Sequence, residues 1–429
     1  MKSLNVILYG RHVATLTQDG NGSRKLEYVP GLDAGASLSA ALPYRDTPYA
    51  HRPTNAFIEG LVPENENTRQ GIAREFNLHT WENPFLLLEH IGLDCAGAVQ
   101  FFPSGEDEAS VRQDGSLKPV SEEEIGARLR QTMKSSSESW MHRNEHWSLA
   151  GAQTKFALRW DNGAWHEAQG AEPTTHIFKP GIMGLEDQAL NEHLCLRTLR
   201  RLELKTAETE FKRFDGTPAV ISRRYDRISS SNGLLRVHQE DLCQAFSLPP
   251  RRKYESDGGP SAVRIVSLIR ENAGEHEAET FVQALIANYL LGAPDAHAKN
   301  YSLLRPPRGG VVLAPLYDVA SGLAYGAFTS EGIPTGQKHY PRAAMKIGGE
   351  SRFGSVNARH WTRFAKEARL DPHLLRETVE FMAVSLPEAF EAVCREESEA
   401  IGGSSLPEKL APAISHLCEC TLSGLSEAP

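Results

Sequence analysis

An aspartate and an asparagine five positions apart form the clearest chemical signal in this sequence. Asp295 follows a helical stretch that ends at a proline, and Asn300 precedes the strand-like residues 301–304. In phosphoryl transfer, a carboxylate orients the attacking hydroxyl while a nearby amide oxygen holds a magnesium ion on the phosphates. The same spacing also occurs in polar loops that contain Asx turns. The pair therefore indicates a candidate catalytic loop that needs support from the rest of the chain.

A second carboxylate supplies part of that support. Residues 311–318 read Val-Val-Leu-Ala-Pro-Leu-Tyr-Asp, which is typical of a buried strand that carries Asp318 at its tip. Magnesium prefers oxygen ligands from one or two carboxylates together with substrate phosphates. Asn300 and Asp318 are therefore the predicted magnesium ligands, and the alternative is that Asp318 only caps a turn.

The phosphate-binding end must lie upstream of this loop. No GxxxxGK[ST] sequence is present, which excludes a Walker-type P-loop. Residues 150–155 form a small-residue turn around Gly151, where backbone N–H groups can approach phosphate oxygens. Lys179 ends a strand-like segment and is a candidate point charge for the phosphates, with Glu192 on the next helix as its predicted partner. Each feature alone is typical of a solvated surface, but their order along the chain is that of protein kinases.

The elements that must position these residues follow from hydrophobic periodicity. The sequence predicts a hairpin at 4–16, further strands at 96–102, 150–160, 175–179 and 219–225, and helices at 67–76, 84–91, 187–202, 281–290 and 372–393. Residues 103–120 are rich in Ser, Gly, Asp and Glu and are predicted to be a linker. The predicted domains are a β-rich N-terminal subdomain at 1–105, a nucleotide-binding lobe at 121–228 and a helical catalytic lobe at 229–429.

Composition excludes several classes of protein. The chain has 429 residues, of which 40% are hydrophobic and 24% charged, so it is neither a coiled coil nor disordered throughout. The net charge of −9 argues against a general nucleic-acid coat, and no apolar run reaches the roughly 20 residues that span a bilayer. We expect a cytoplasmic protein. The cysteines lack a paired CxxC frame, which predicts small buried apolar residues; a metal site at His416, Cys418 and Cys420 is the alternative.

Several longer strings carry a family resemblance. They are LAGAQTK at 149–155, THIFK at 175–179, VHQEDLCQ at 237–244, KYESDGGP at 253–260, DAHAKN at 295–300 and LYDV at 316–319, with NAFIEGLVP at 55–63 and GLDCAGA at 92–98 in the N-terminal part. On these strings the sequence resembles the HipA family, the serine/threonine kinase toxins of bacterial HipBA toxin–antitoxin systems. The resemblance covers nearly the whole chain.

The resemblance implies an α+β, protein-kinase-like fold of two lobes. Its N-terminal lobe would be β-rich with an added N-terminal subdomain, and its C-terminal lobe mostly helical. Asp295 matches the catalytic aspartate, and Asn300 and Asp318 match the magnesium site. The residues that the resemblance places at ATP are Ala150, Gly151, Ala152, Gln153, Thr154, Lys155, Lys179, Arg223, Arg224, Tyr225, His297, Lys299, Asn300, Tyr317 and Asp318.

One further residue matches a regulatory position. Ser148 corresponds to a serine whose autophosphorylation silences family members by displacing the phosphate loop. The sequence also departs from the family pattern at three places: Arg223 replaces an acidic residue, Ala296 replaces a glycine, and the segment 180–188 is short. We therefore expect backbone rather than side-chain contacts to adenine at Arg223.

The implied function is that of an ATP- and magnesium-dependent serine/threonine protein kinase toxin. Its implied substrate is an aminoacyl-tRNA synthetase, with the glutamyl enzyme favoured, so that translation stalls and dormancy and persistence follow. The implied partner is a HipB-type, DNA-binding antitoxin, through which the chain would contact DNA indirectly. Two alternatives stay open: a degenerate kinase that acts as an antitoxin-bound transcriptional corepressor, and a small-molecule phosphotransferase.

Overall fold

The chain folds into two units that each combine three separate stretches of sequence. The computed structural model describes residues 2–105, 115–134, 141–231, 233–325 and 342–426. The first unit comprises Met1–Pro180, Lys212–Arg251 and Ser302–Val311, and the second comprises Gly181–Phe211, Arg252–Tyr301 and Val312–Pro429. The three domains predicted from the sequence, at 1–105, 121–228 and 229–429, stay a prediction, because these two units group the chain by its contacts and not by domain.

The first unit begins with a four-stranded antiparallel sheet in the order β3-β2-β1-β4. Its strands are β1 (Lys2–Leu8), β2 (Arg11–Gln18), β3 (Arg24–Tyr28) and β4 (Val99–Pro103). The predicted hairpin is confirmed, because Tyr9 and Gly10 both have positive φ values, 52° and 77°, as a tight two-residue turn requires. Three helices accompany the sheet: α1 (His51–Glu59), α2 (Glu66–Glu75) and α3 (Pro84–Ile91).

A six-stranded sheet in the order β5-β7-β6-β8-β10-β9 follows. Its strands are β5 (Ser116–Pro119), β6 (Phe156–Asp161), β7 (Ala164–Gln169), β8 (His176–Pro180), β9 (Thr209–Phe214) and β10 (Thr217–Arg223). Helix α4 (Glu122–Met133) begins at a capping box in which Ser121 and Glu124 satisfy each other's backbone N–H groups. The linker prediction for 103–120 is wrong at its end, since β5 pairs with β7. Residues 106–114 lie outside the described residues.

One apolar core joins these two sheets. It runs from Leu4, Val6 and Leu8 of β1 to Phe156 of β6 and Phe178 of β8. The rings of Phe156 and Phe178 stack with centroids 5.2 Å apart. The N-terminal part of the chain and the nucleotide-binding lobe that the sequence predicts therefore share a core, which positions one against the other.

The strand predicted over 150–160 is wrong in its first half. β6 begins only at Phe156, and residues 150–155 form a turn in which Gly151 has a φ of 110°. Non-glycine residues rarely adopt that conformation. The first unit is completed by the hairpin of β11 (Arg227–Ser230) with β12 (Gly233–Arg236), by the antiparallel pair of β13 (His238–Asp241) and β14 (Ser302–Arg305), which are distant in sequence, and by the one-turn helix Leu242–Ala245.

The second unit is mostly helical. Its long helices are α5 (Gln188–Arg201), α6 (Ala262–Ala273), α7 (Glu275–Leu290), α8 (Ala358–Ala368), α9 (Pro372–Glu396) and α10 (Leu406–Ser426). A four-residue helix, Ser398–Ile401, separates the last two, and the strands are β15 (Val312–Leu313), β16 (Arg342–Ile347) and β17 (Glu350–Arg352). Helix α9 packs against α5, α7 and α10. The predicted helices at 187–202, 281–290 and 372–393 are confirmed.

The α+β fold class is confirmed, with sheets concentrated in the first unit and helices in the second. The buried strand predicted over 311–318 is wrong, since only Val312–Leu313 is a strand. Pro315 has no N–H for a ladder, and beyond it Leu316 makes an isolated bridge to Thr206 instead. No helix among the described residues is long and apolar enough to cross a bilayer.

Candidate active site

The loop that carries Asp295 is held at its start by the end of helix α7. Gly292 has a φ of 62°, its N–H bonds to the carbonyl of Tyr289, and the N–H of Ala293 bonds to the carbonyl of Asn288. This pair of bonds is a Schellman motif, which ends a helix sharply. A Cβ at position 292 would lie only 2.5 Å from a side-chain carbon of Leu323, so the close packing also requires glycine. The chain thus leaves α7 in one defined direction, three residues before Asp295.

The end of the loop is tied to the same helix. The amide of Asn288 donates to the hydroxyl of Tyr301 at 2.9 Å, and the Tyr301 ring packs edge-on against Phe281. Within the loop, the carbonyl of Asp295 accepts from the N–H of His297 at 2.8 Å and from Nδ2 of Asn300 at 2.7 Å. The predicted Asp-x4-Asn pair therefore closes one hydrogen-bonded loop whose two ends rest on α7.

The Asp295 side chain points outward from this loop. It is 62% exposed, and its Oδ1 accepts a hydrogen bond from the hydroxyl of Tyr254. Nε2 of His297, a buried residue, lies 3.6 Å from the same oxygen. An exposed carboxylate on a rigid backbone can reach a substrate hydroxyl, which is what a catalytic base requires.

Asp318 lies on a segment that is tied to the same loop. The hydroxyl of Tyr317 donates to the carbonyl of Lys299 at 2.9 Å. On the other side of the segment, Leu316 exchanges backbone hydrogen bonds with Lys205 and Ala207, each at 2.8 Å. Asp318 itself has a φ of 56°, so it sits at a bend rather than at the tip of the predicted strand. Tertiary hydrogen bonds of Leu316 and Tyr317, rather than a sheet, hold the segment that carries Asp318.

Helix α5 contributes to the position of the same segment. Nδ2 of Asn191 donates to the carbonyl of Ser321 at 2.8 Å, and Oδ1 of Asn191 accepts the Ser321 N–H at 2.9 Å. Glu192, the neighbouring residue, is buried. Glu192 belongs to the second unit and Lys179 to the first, so their pairing stays a prediction.

The turn expected to bind phosphates is fastened within the first unit. The N–H of Glu64 donates to the carbonyl of Gly151 at 3.0 Å, and Nε2 of Gln153 donates to the carbonyl of Pro180 at 2.9 Å. The second bond places the turn beside the end of β8, which carries Lys179. Lys179 is buried and pairs through its backbone with Val220 of β10. The turn and the lysine, 24 positions apart, are thus neighbours in one unit.

Ser148 precedes this turn and is fully buried. Its Oγ donates to the carbonyl of Leu61 at 2.7 Å, and its N–H donates to the carbonyl of Asp94 at 3.0 Å. Both acceptors lie in the N-terminal strings that carry the family resemblance. The sequence predicted no contact between those strings and the phosphate turn, and the structure supplies one.

Arg224 lies in a buried ionic network that sequence reasoning missed. Its guanidinium bonds to Asp226 at 2.9 and 3.0 Å and to Asp94 at 3.2 Å, and Asp94 also bonds to Arg227 at 2.8 Å and to Arg236 at 3.1 Å. Burial alone would raise the pKa of Asp94, but the charges of Arg227, Arg224 and Arg236 outweigh it and hold that pKa far below its ordinary value. The guanidinium of Arg224 therefore binds Asp94 and Asp226 instead of a nucleotide. Of the predicted adenine contacts in this segment, those of the backbone of residues 223–225 stay a prediction.

The second unit also offers a donor set suited to magnesium. Nδ2 of Asn300 donates to the carbonyl of Asp295, and Oδ1 of the same amide is a hard oxygen of the kind that magnesium takes as a ligand. Asp318 supplies a carboxylate from the segment tied to the same loop. Across the described ranges, no cluster of three or more His, Cys, Asp or Glu is placed to bind a metal. A carboxylate and an amide fit an ion that takes its other ligands from phosphates and water.

The structure thus sorts the predicted site residues into two groups. The second unit brings together the catalytic and metal-site candidates Asp295, His297, Lys299, Asn300, Tyr317 and Asp318. The first unit holds Ser148, Ala150, Gly151, Ala152, Gln153, Thr154, Lys155, Lys179, Arg223, Arg224 and Tyr225. Tyr254 is an addition, and its only sequence signal was its place in the KYESDGGP string.

Comparison with known proteins identifies the family of this chain. Residues 4–102 match the model of the HipA N-terminal domain, and residues 147–390 match that of the HipA-like C-terminal domain. The chain belongs to the HipA family. It is 33% identical to the putative kinase Y4mE of Sinorhizobium fredii over 93% of both chains. It is 27% identical to the serine/threonine-protein kinase toxin HipA of Shewanella oneidensis, over 84% of this chain and 81% of that one.

A solved structure shares the fold over almost the whole length. HipA from the Shewanella oneidensis complex of HipA, HipB and operator DNA superposes with a TM-score of 0.80. The match has 26% identity and covers 98% of this chain and 97% of that one. The resemblance seen in the sequence is confirmed, and the chain is a HipA-like serine/threonine-protein kinase toxin.

Proposed function

We propose that this HipA-family kinase transfers the γ-phosphoryl group of ATP, with Mg²⁺, to a serine or threonine of a protein needed for translation. The observation that carries the proposal is the exposed Asp295 carboxylate on a loop that also bears Asn300 and is tied to the Asp318 segment. Such a site combines a proton acceptor with two oxygen ligands for a cation.

In the proposed reaction, the substrate oxygen bonds to the γ-phosphorus while the bond from that phosphorus to the ADP oxygen breaks. Asp295 orients the hydroxyl and accepts its proton. Lys179 and the backbone of 150–155 contact the phosphates, and the backbone of 223–225 contacts adenine. Asn300 and Asp318 would hold magnesium, which when bound neutralises charge on the phosphates. Catalysis then consists mainly of positioning and charge stabilisation.

The direct test is transfer of label from radiolabelled ATP by the purified chain. Asp295→Asn and Asp318→Asn are each expected to lower the rate by at least about 10²-fold, the usual effect of removing a group that stabilises transferring charge. Glu388→Gln, which neutralises an exposed acid on α9, is the matched control and should keep the full rate. Full activity in either site variant would contradict the assigned roles.

We propose that the protein that accepts the phosphoryl group is an aminoacyl-tRNA synthetase, and that glutamyl-tRNA synthetase is the favoured candidate. The proposal extends the family resemblance to the acceptor; the name of the Shewanella oneidensis relative, a serine/threonine-protein kinase toxin, supports a protein acceptor. Incubation of the purified kinase with purified glutamyl-tRNA synthetase should produce a phosphoserine or phosphothreonine and a loss of aminoacylation. Phosphoproteomics after induced expression should identify the acceptor independently. Label found only in a metabolite would favour the small-molecule phosphotransferase instead.

We further propose a HipB-type antitoxin as the partner of this chain. The solved relative was crystallised with HipB and operator DNA, and this chain carries a net charge of −9. An acidic protein gains little from DNA phosphates directly, so contact with DNA would run through the antitoxin. Expression of this chain alone should stop growth, co-expression of a HipB-type antitoxin should restore it, and the purified chain alone should not shift operator DNA.

Autophosphorylation at Ser148 is the proposed regulation. Because Ser148 is fully buried and bonded to Leu61, the 147–151 segment must leave this position before the hydroxyl can react. A phosphate adds nearly two negative charges, which that buried position cannot accommodate. Intact-mass spectrometry after incubation with ATP should show a phosphate that Ser148→Ala lacks, and the phosphorylated fraction should have lost activity.

A further inference from the structure

The KYESDGGP string has a position in the structure that its sequence does not explain. The carbonyl of Lys253 accepts the N–H of Ala298 at 3.2 Å, so this segment runs beside the Asp295 loop. Glu255 accepts the N–H of Lys346 in β16 at 2.7 Å, which anchors the same segment on its other side. Tyr254 lies between these two anchors. The backbone at Tyr254 is therefore held by the hydrogen bonds of its two neighbours, independently of the contacts of the Tyr254 side chain.

The side chain of Tyr254 contacts the loop at two points. Its hydroxyl donates to Oδ1 of Asp295, and its ring packs edge-on against His297 with centroids 4.8 Å apart. His297 is buried, whereas Asp295 is 62% exposed. An exposed aspartate on the surface samples several rotamers, and a hydrogen bond from a fixed donor restricts it to one.

We propose that Tyr254 is a positioning residue for phosphoryl transfer: its hydroxyl holds Oδ1 of Asp295 so that Oδ2 faces the acceptor hydroxyl. The inference rests on the proposed kinase function and adds a residue to it. Tyr254 and His297 both approach Oδ1, which assigns Oδ2 to the substrate. In the transfer, Oδ2 accepts the proton of the substrate hydroxyl as the oxygen bonds to the γ-phosphorus and ADP departs. Tyr254 exchanges no proton with the substrate and acts only through the orientation of Asp295.

The variant Tyr254→Phe isolates this effect. Phenylalanine keeps the ring against His297 and removes only the hydroxyl. We expect kcat to fall roughly 10- to 100-fold, the scale of a misplaced reacting group, with KM for ATP and the unfolding temperature unchanged. The matched control is Tyr44→Phe in the first unit, which removes another tyrosine-to-aspartate hydrogen bond, from Tyr44 to Asp46 at 2.9 Å, and should leave kcat unchanged.

A double-mutant cycle separates positioning from a general structural role. If Tyr254 acts through Asp295, then adding Tyr254→Phe to Asp295→Asn should change the residual rate by less than about twofold, because the shared pathway is already lost. Full kcat in Tyr254→Phe would overturn the inference, as would an equal loss of rate in both backgrounds. A crystal structure of Tyr254→Phe should show Asp295 in more than one rotamer, and one unchanged rotamer would also overturn it.

The failure of this inference and of the proposed function give different results. Wild-type protein that transfers phosphate while Tyr254→Phe is equally active refutes the role of Tyr254 alone. Wild-type protein that transfers no phosphate to any protein, itself included, refutes the kinase proposal and this inference with it.

Discussion

Two clusters of charged side chains in this protein have opposite designs. At Asp94, two carboxylates and the guanidiniums of Arg224 and Arg227 are almost completely buried and bonded to one another, and the partly buried Arg236 adds a third guanidinium. At Asp295, a single carboxylate stands 62% exposed, and its hydrogen-bond donor is the uncharged Tyr254. In the first cluster, carboxylates and guanidiniums pair with one another. In the second, the Asp295 carboxylate faces the solvent, and both ends of the loop that carries it are fixed by hydrogen bonds.

The difference indicates what each cluster contributes. The Asp94 carboxylate accepts five hydrogen bonds, two of them from Thr174, so no part of it is left for a ligand. Such a network joins the N-terminal strings to the segment at 223–227 and stabilises the first unit. The Asp295 carboxylate accepts one hydrogen bond, from Tyr254, and is otherwise directed toward the solvent. A buried, saturated ion cluster is structural, whereas a rigid, exposed acid is suited to chemistry.

The strongest way to test the contrast is to remove one charge from the buried cluster. Asp94→Asn puts an amide donor opposite guanidinium donors and leaves buried positive charge uncompensated. Breaking a buried ion pair in this way costs about 3–5 kcal/mol of unfolding free energy. Urea unfolding of the wild type and the variant should show this loss. A change below about 1 kcal/mol would mean that the network contributes little stability.

The same cluster predicts a pH dependence. The pKa of Asp94 and that of Asp226 are both lowered in the folded protein, since their arginine partners outweigh the effect of burial. A carboxylate with a lowered folded pKa stabilises the fold fully above its unfolded pKa, about 3.9, and loses that contribution as pH falls toward the folded value. The stability difference between wild type and Asp94→Asn should therefore be constant from pH 7 to about pH 5 and shrink below pH 4. A difference that stays constant down to pH 3 would contradict this account.

The pair of His142 and Glu167 is intermediate between these two clusters, because one partner is exposed and the other is buried. Nδ1 of His142 lies 2.6 Å from the buried Glu167 carboxylate, and that hydrogen bond raises the pKa of His142. Burial alone would raise the pKa of Glu167, but His142 and Lys118 lower it to about 2. The His142 contribution to stability is present below pH 6.5 and is lost as pH rises through its raised pKa.

Because the His142 side chain is 55% exposed, that contribution should be at most about 1 kcal/mol. NMR titration should show the pKa of His142 decreasing in Glu167→Gln, with Glu396→Gln as a control that leaves it unchanged. Equal His142 pKa values in all three proteins would show that the pair is not formed in solution.

The smallest expected change in unfolding free energy is that of a substitution at Asp295. Asp295→Asn keeps an oxygen that can accept from Tyr254 and buries nothing new, so the unfolding free energy should change by no more than about 0.5 kcal/mol. Thermal unfolding measures this directly. A loss above 2 kcal/mol would mean that Asp295 is structural, and the contrast with Asp94 would then fail.

Local pattern was enough to predict much of the fold. The pattern of apolar residues predicted α3 with the bounds it has in the structure, Pro84–Ile91, and it placed α5 and α9 within a few residues of their ends. These helices begin at Asn or Asp residues or at a proline and need no distant contact to be recognised. Strands β5, β7 and β9 were not predicted, because short edge and half-exposed strands have weak patterns of their own.

The site was only partly predictable for a related reason. Residue type and spacing identified Asp295, Asn300 and Asp318, yet the strand expected to carry Asp318 covers only Val312–Leu313 and is followed by an isolated bridge from Leu316 to Thr206. The string 253–260 was recognised without any role for Tyr254, and Arg224 was assigned to nucleotide although its guanidinium is bonded to Asp94 and Asp226. No pattern in the sequence relates position 224 to position 94.

The amino-acid sequence by itself determined the family, the α+β class and the identity of the acidic and amide groups suited to phosphoryl transfer. Those follow from residue types and short spacings, which are properties of the chain before it folds. Only the tertiary structure decided which charges are buried together and which acid stays exposed on a pinned loop. Contacts between residues tens or hundreds of positions apart determine burial and hydrogen-bond partners, and these in turn decide whether a charged side chain stabilises the protein or reacts.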